Sequence, residues 1–253
     1  MRRLLILGGT TEASAVAAAL VDDPRFLPML SFAGATRAPR APLIPWRVGG
    51  FGGAMGLAHF LRDNALDLLI DATHPFAQQI KRNAMQAAAL TGVKLLGVHR
   101  PAWQEGPGDH WQHVPDMEHA AAAIGPQPQR VLLTVGQKDL AAFRAIPRHH
   151  YIVRSVDAPD PASLPQGAEM IQARGPFRAE DELALLQRLD VSVLVTKNSG
   201  GSATAPKLAA ARTCGVRVVM VDRPPSPDWA EFVPDAAGAL RWLNHHAPAL
   251  RGE

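Results

Sequence analysis

Short apolar runs recur along the chain at a spacing that leaves room for one helix between each pair. Leu4–Leu7 is continuously apolar, and Asp67–Ala72 ("DLLIDA"), Lys94–Val98, Arg130–Val135 ("RVLLTV"), Val191–Thr196 and Val216–Val221 are similar. Runs of three or four consecutive apolar residues are expected of strands buried on both faces of a parallel sheet, not of half-exposed strands, which alternate. Between them the pattern changes to helical spacing. Thr11–Val21 is alanine-rich and stops at Asp22-Asp23-Pro24. Ala54–Asp63 follows a glycine cluster. Pro75–Leu90 begins on proline and ends at Gly92. Arg178–Leu189 carries an apolar stripe at Leu183, Leu186 and Leu189, and Ala236–His246 is the last helix. Leu27–Ala33, Ile44–Val48, Tyr151–Ser155 and Met170–Ala173 read as further short strands.

This βαβ alternation runs through five strands, weakens, and restarts. The weak stretch, residues 101–129, is rich in proline and glycine, with Trp111–Val114 as a short strand and Asp116–Ile124 as a helix. The expected organisation is therefore an α/β chain of two doubly wound domains with mostly parallel sheets: residues 1–100, a crossover at 101–129, and residues 130–253. The length of 253 residues suits two small cores, and 47% hydrophobic content is enough to fill them.

Composition narrows the function classes. Cys214 is the one cysteine, so an intramolecular disulfide and a cysteine-rich zinc site are excluded, and a reducing cytoplasm is expected. The apolar start is broken by Gly8-Gly9 and Glu12, too early for a signal peptide, and no run has membrane-spanning length. The net charge of +3 comes without a Lys/Arg block, so a small anionic ligand is expected in preference to nucleic acid or membrane. HExxH, CxxC, Walker A and GxSxG patterns do not occur, so no metal site is expected.

In open parallel sheets ligands bind beyond the carboxyl ends of the strands. In the first half these ends offer Gly8-Gly9-Thr10-Thr11, Ser31 through Arg37, Gly49-Gly50-Phe51-Gly52-Gly53, and Thr73-His74. Over G-x-G-x-x-G/A, Gly8 and Ala13 fit, but Thr10 stands where a glycine would let backbone approach a pyrophosphate. Glu12 would repel a close phosphate and is expected to close a capping box with Gly9 as N-cap, so a purely structural turn remains an alternative. From Pro24 through Arg62 there is no acidic residue to take ribose hydroxyls. Ser31, Arg37 and Arg40 occupy that region, favouring the 2′-phosphate of NADP over NAD; a solvated basic loop is the plain alternative. Gly50, Phe51, Gly52 and Gly53 offer open backbone to an anion or flat ring. Thr73 and His74 are expected near a nicotinamide, with a helix-start role as the alternative for His74.

In the second half Gly136-Gln137-Lys138 and Lys197-Asn198-Ser199-Gly200-Gly201 place a lysine and an amide at each of two strand ends, with Arg154, Arg174 and Arg223 near others. Backbone donors and cations together suit a polycarboxylate, although lysines at strand ends are often simply solvated.

Taken in order, "LILGGTTEA", "RVGGFGG", "DATHPFA", "TVGQKDL", "RGPF" and "TKNSGG" resemble the precorrin-6A reductase family of cobalamin biosynthesis, from Leu4 to about Asp222. The resemblance implies two Rossmann-like domains with the active site between them. It further implies NADPH-dependent reduction of the C18–C19 double bond of precorrin-6A to give precorrin-6B, with cobalt-containing rings as the substrate of some members. On that reading Gly8, Gly9, Thr10, Thr11, Ser31, Arg37, Gly50, Phe51, Gly52, Gly53, Thr73 and His74 hold the cofactor. Gly136, Gln137, Lys138, Lys197, Asn198, Ser199, Gly200 and Gly201 hold the tetrapyrrole. Lys197, Asn198 and His74 are the candidate catalytic groups. The partners implied are the small-molecule tetrapyrrole and, transiently, neighbouring pathway enzymes. Two other readings stay open on the residues alone. One is a sensor or carrier that binds nucleotide or tetrapyrrole without turnover. The other is a short-chain-type oxidoreductase, which expects Tyr-x-x-x-Lys, whereas Tyr151 is followed by Ser155 at the lysine position.

Overall fold

The computed structural model describes residues 1–34, 41–225, 228 and 231–248. In chain order the elements are β1 (Arg2–Leu7), α1 (Thr11–Ala19), β2 (Phe26–Phe32), β3 (Trp46–Val48), α2 (Gly53–Asp63), β4 (Leu68–Asp71), α3 (Gln78–Thr91) and β5 (Lys94–Val98). There follow β6 (Trp111–Val114), α4 (Met117–Ala123), β7 (Arg130–Thr134), α5 (Ala141–Arg144), β8 (His150–Ser155), β9 (Glu169–Gln172), α6 (Ala179–Arg188), β10 (Val193–Lys197), α7 (Pro206–Cys214), β11 (Arg217–Val221), β12 (Phe232–Val233) and α8 (Ala236–His246).

Among the described residues two six-stranded sheets form, ordered β12-β5-β4-β1-β2-β3 and β6-β11-β10-β7-β8-β9, with every pairing parallel. The first five strands of each half run 3-2-1-4-5, the doubly wound Rossmann order, with the switch point between β1 and β4 in one sheet and between β7 and β10 in the other.

The sixth strands do not follow the domain limits drawn from the sequence. Trp111–Val114, placed there in a crossover, pairs with β11 and completes the second sheet. Phe232–Val233 pairs with β5 and completes the first. One compact unit is thus Met1–Pro101 with the described residues from Pro225 onward, and the other is Ala102–Pro224. The physical reason is apolar burial: Ala239, Trp242 and Leu243 of α8 belong to the core that Leu4, Ile6, Val16 and Leu30 form.

Period-two side-chain alternation splits β1 between two layers. Leu4 and Ile6 face α1 and α8, while Leu5 and Leu7 face Leu57 and Leu61 of α2 and Ala84 and Ala87 of α3. In the second unit Leu132, Ile152, Leu194, Val218 and Met220 pack against Leu186 of α6 and Leu208 and Ala211 of α7.

Several element limits also differ from the sequence reading. The helix expected from Pro75 begins at Gln78, because His74–Ala77 forms a turn closed by Ala77 N–H to His74 O (2.9 Å). Pro75 occupies the second position of that turn, where its fixed φ is favourable. Gly92 ends α3 in the left-handed region (φ 75°), as expected of a C-terminal glycine. Among the described residues no helix is long and apolar enough to cross a membrane.

Candidate functional site

In the first unit the β1 turn is tied to the end of β4. Gly9 takes φ +114° and Thr10, not Gly9, is the N-cap of α1. Thr10 Oγ1 accepts the Ala13 N–H (3.2 Å) and donates to Ala72 O (2.6 Å). One hydroxyl thereby satisfies an orphan helix donor and bridges the switch point, which explains a threonine in place of the fingerprint's middle glycine. Glu12 does not close the capping box. Its carboxylate pairs with Arg100, which follows β5, at 2.6 Å, and accepts from Thr11 Oγ1 (3.1 Å). Its charge is met by a guanidinium that nothing local in the sequence pointed to.

Ser31 is buried near the end of β2, and its hydroxyl accepts from Arg47 (2.9 Å). The same guanidinium donates to Gly49 O (2.8 Å) and Gly50 O (3.1 Å) and lies over the Phe51 ring at 4.1 Å. Arg47 therefore organises the glycine-rich turn, with Phe51 packed edge-on to Phe60. The sequence reading passed over this arginine because it sits inside a strand. Gly49, Gly52 and Gly53 have φ of +117°, +78° and +88°, and a Cβ at Gly9, Gly50, Gly52 or Gly53 would meet nothing within 4 Å. The turns thus present bare backbone to an open side, the property a nicotinamide nucleotide requires of its cradle. Arg37 and Arg40 lie outside the described residues.

At the end of β4, Asp71 and Lys81 form a buried pair (Nζ–Oδ2 3.7 Å) at 0% and 1% exposure. The other oxygen of Asp71 accepts both the N–H (2.8 Å) and the hydroxyl (2.6 Å) of Thr73, and Lys81 donates to Thr73 Oγ1 (3.2 Å). Phe76 N–H donates to His74 Nδ1 (3.3 Å), which leaves the proton of the neutral ring on Nε2.

In the second unit the turns after β7 and β10 are joined through Asp139. Its carboxylate accepts the Gly136 N–H (3.0 Å) and pairs with Lys197 Nζ at 2.6 Å. Gln137 Nε2 donates to Asp157 O (3.4 Å), and Lys138 is exposed. Asn198 is buried, and its amide forms a reciprocal pair with the Trp103 backbone: Trp103 N–H to Oδ1 (2.8 Å) and Nδ2 to Trp103 O (3.1 Å). Arg223 donates to Asn198 O (2.7 Å). The amide thus holds the segment after β5 against the end of β10.

Ser199 is buried and Gly200 takes φ +68°. After Gly200-Gly201 comes a 3₁₀ turn, Ser202–Thr204, and α7 starts at Pro206. Arg154, read from the sequence as part of a carboxylate-binding set, is instead buried in an ion pair with Glu182 of α6 and lies over Phe177 at 4.2 Å.

The structure therefore groups the cofactor candidates Gly8–Thr11, Ser31, Gly50–Gly53, Thr73 and His74 at the carboxyl edge of the first sheet. It groups Gly136–Lys138 and Lys197–Gly201 at that of the second. The residues missed are the charged partners Arg47, Lys81, Arg100 and Asp139, of which Arg100 and Asp139 pair with residues far away in the sequence.

The sequence model of the precorrin-6x reductase CbiJ/CobK family matches residues 3–244. A precorrin-6A reductase of Rhodococcus erythropolis is 46% identical over 243 residues, covering 96% of this chain and 98% of that protein. One of Rhodobacter capsulatus is 44% identical over 253 residues, the full length of both. A cobalt-precorrin-6A reductase of Priestia megaterium is 30% identical over 179 residues, 66% of this chain and 69% of that one. Among solved structures, CobK precorrin-6A reductase has a TM-score of 0.93 at 43% identity, with 100% of both chains covered. With both sheets and nearly the whole sequence matched, this chain belongs to the precorrin-6x reductase CbiJ/CobK family of oxidoreductases.

Proposed function

We propose that the chain reduces precorrin-6A to precorrin-6B with NADPH, binding the nucleotide on the first unit and the tetrapyrrole on the second. The observation that carries the division is the difference between the two sheet edges. The first presents open glycine backbone with Thr10, Thr73 and His74. The second presents Lys138 and the Asp139-held Lys197 beside buried Asn198 and Ser199. The greater identity to relatives named precorrin-6A reductase (46% and 44%) than to the cobalt-precorrin relative (30%) supports the cobalt-free ring.

When bound, NADPH supplies a hydride for the macrocycle carbon. The chain's own work is orientation and electrostatics. The Arg47-braced glycine turn and the Thr10 bridge provide a rigid floor for the nucleotide. Asp71, through Thr73, holds the turn that carries His74, whose Nε2–H is a donor. Lys197, steadied by Asp139, pairs with a substrate carboxylate or faces a ring nitrogen, and the Asn198 clamp keeps it at the strand end. Arg37 and Arg40 supply the partner for the 2′-phosphate.

Oxidation of NADPH on adding precorrin-6A, followed at the nicotinamide absorbance, tests the activity; binding without turnover favours the sensor or carrier reading. Arg37→Ala and Arg40→Ala are expected to raise KM for NADPH while leaving that for NADH near its starting value. An unchanged NADPH preference contradicts the 2′-phosphate role. Lys197→Ala removes a charge-assisted contact of about 1.5–3 kcal/mol, so KM for the macrocycle should rise roughly 10- to 100-fold with KM for NADPH little changed. An equal rise in both would refute the assignment of the substrate to the second unit.

A further inference from the structure

The two units carry lysines in topologically equivalent helices: Lys81 in α3, after β4, and Lys207 in α7, after β10. Each donates to a threonine hydroxyl near a strand end, Lys81 to Thr73 (3.2 Å) and Lys207 to Thr134 (3.1 Å). Their electrostatic settings are opposite. Lys81 has the Asp71 carboxylate at 3.7 Å. Lys207 is 5% exposed, and among the described residues no carboxylate lies within ion-pair distance of it. Glu182 of α6 attracts it but is committed to Arg154 of β8, whose own charge opposes it. Its other neighbour is the Trp103 ring, 5.4 Å from Nζ. Burial first, and Arg154 second, push its pKa down to about 7.

The amine contacts two residues that adjoin the proposed macrocycle groups. Thr134 is the last residue of β7, immediately before Val135 and Gly136, and its hydroxyl donates to Val195 O of β10 (3.1 Å). Trp103 is the segment clamped by Asn198. A buried ammonium without a counter-charge is costly, and an anion arriving above it relieves that cost.

We propose that Lys207 is a positioning residue for the tetrapyrrole: a buried amine that takes up a proton from solvent when an acetate or propionate of the macrocycle settles over the ends of β7 and β10. Its charge then anchors that carboxylate through the Thr134 and Trp103 layer. The inference rests on the reading that the second unit binds the substrate.

Calorimetric binding of precorrin-6A without NADPH, in two buffers of different ionisation enthalpy, counts the protons taken up. With a free-state pKa of about 7, the wild type should gain about half a proton per macrocycle at pH 7 and close to one at pH 8. Lys207→Met should lose that uptake and bind at least about tenfold more weakly. Lys207→Arg, charged at all these pH values, should lose the uptake but keep affinity nearer to wild type. Urea unfolding against pH gives a check without substrate. A lysine pKa depressed on folding means that the unfolded chain binds more protons between about pH 7 and 10, so stability rises with pH there. Lys207→Met should lose the lysine's share of that rise, and persistence of the full rise overturns the proposal. Equal proton uptake by wild type and Lys207→Met overturns it while leaving the substrate assignment intact. Failure of precorrin-6A to bind the wild type overturns both.

Discussion

Asp71→Leu is expected to lower stability by about 3–5 kcal/mol, the usual cost of stranding one member of a buried ion pair. Asp71 is fully buried, and the substitution leaves the Lys81 ammonium, 1% exposed, without its carboxylate. It also removes the acceptor for the N–H and hydroxyl of Thr73. Urea unfolding monitored by circular dichroism measures the loss. The double variant Asp71→Leu/Lys81→Met provides the sharper test, because removing both charges together avoids the stranded ion. It should recover most of the stability but not KM for NADPH, since Thr73 and His74 would still lack their anchor. A single variant costing under about 1 kcal/mol, or a double variant as unstable as the sum of the two singles, would contradict a paired buried network.

The second large effect is expected at Gly56, one turn into α2. A Cβ built there falls 1.7 Å from the carbonyl oxygen of Phe51 and 2.8 Å from its carbonyl carbon. In an open helix interior, glycine to alanine stabilises by roughly 0.5–1 kcal/mol. Here that gain is outweighed, because the backbone of the Gly49–Gly53 turn must move, and overpacking of this kind costs about 1–3 kcal/mol or more. Gly56→Ala should therefore lower the melting temperature and raise KM for NADPH several-fold, as the turn is pulled from the hold of Arg47. Gly50→Ala is the matched control. Gly50 has no positive φ, and a Cβ there meets nothing within 4 Å, so its stability should change by less than about 0.5 kcal/mol. Equal destabilisation by the two substitutions would show that the contact with Phe51 is not what demands glycine at position 56.

Asp71 was legible at the end of its strand, but neither its buried partner Lys81 nor the contact of Gly56 with Phe51 was. Residues at the tip of a strand are visible from the sequence because the apolar run says where the strand stops. What holds those residues is not visible, because it comes from elsewhere in the chain. Lys197 was legible as a lysine after "VLVT"; that Asp139 grips it at 2.6 Å follows only from the pairing of β7 with β10. Glu12 read as a local cap, whereas Arg100 reaches it from beyond β5. Arg154 looked like a ligand-facing cation and is spent on Glu182.

The sequence by itself determined the element types and their order. Continuous apolar runs have no stable place except between two helical layers, and the glycine, proline and threonine between them permit few chain reversals. It also determined which strand ends carry polar chemistry, and its motifs identified the family. The tertiary structure decided which unit each sixth strand completes. Phe232–Val233 is too short for its periodicity to be read, and its place is set by pairing with β5 and by the packing of α8 on the first core. It also decided how buried charge is balanced. Lys81 and Lys207 are similar in sequence, each a lysine in an alanine-containing helix. Only the carboxylate opposite the one, and its absence opposite the other among the described residues, separates a buried ion pair from a buried amine whose pKa is pushed down.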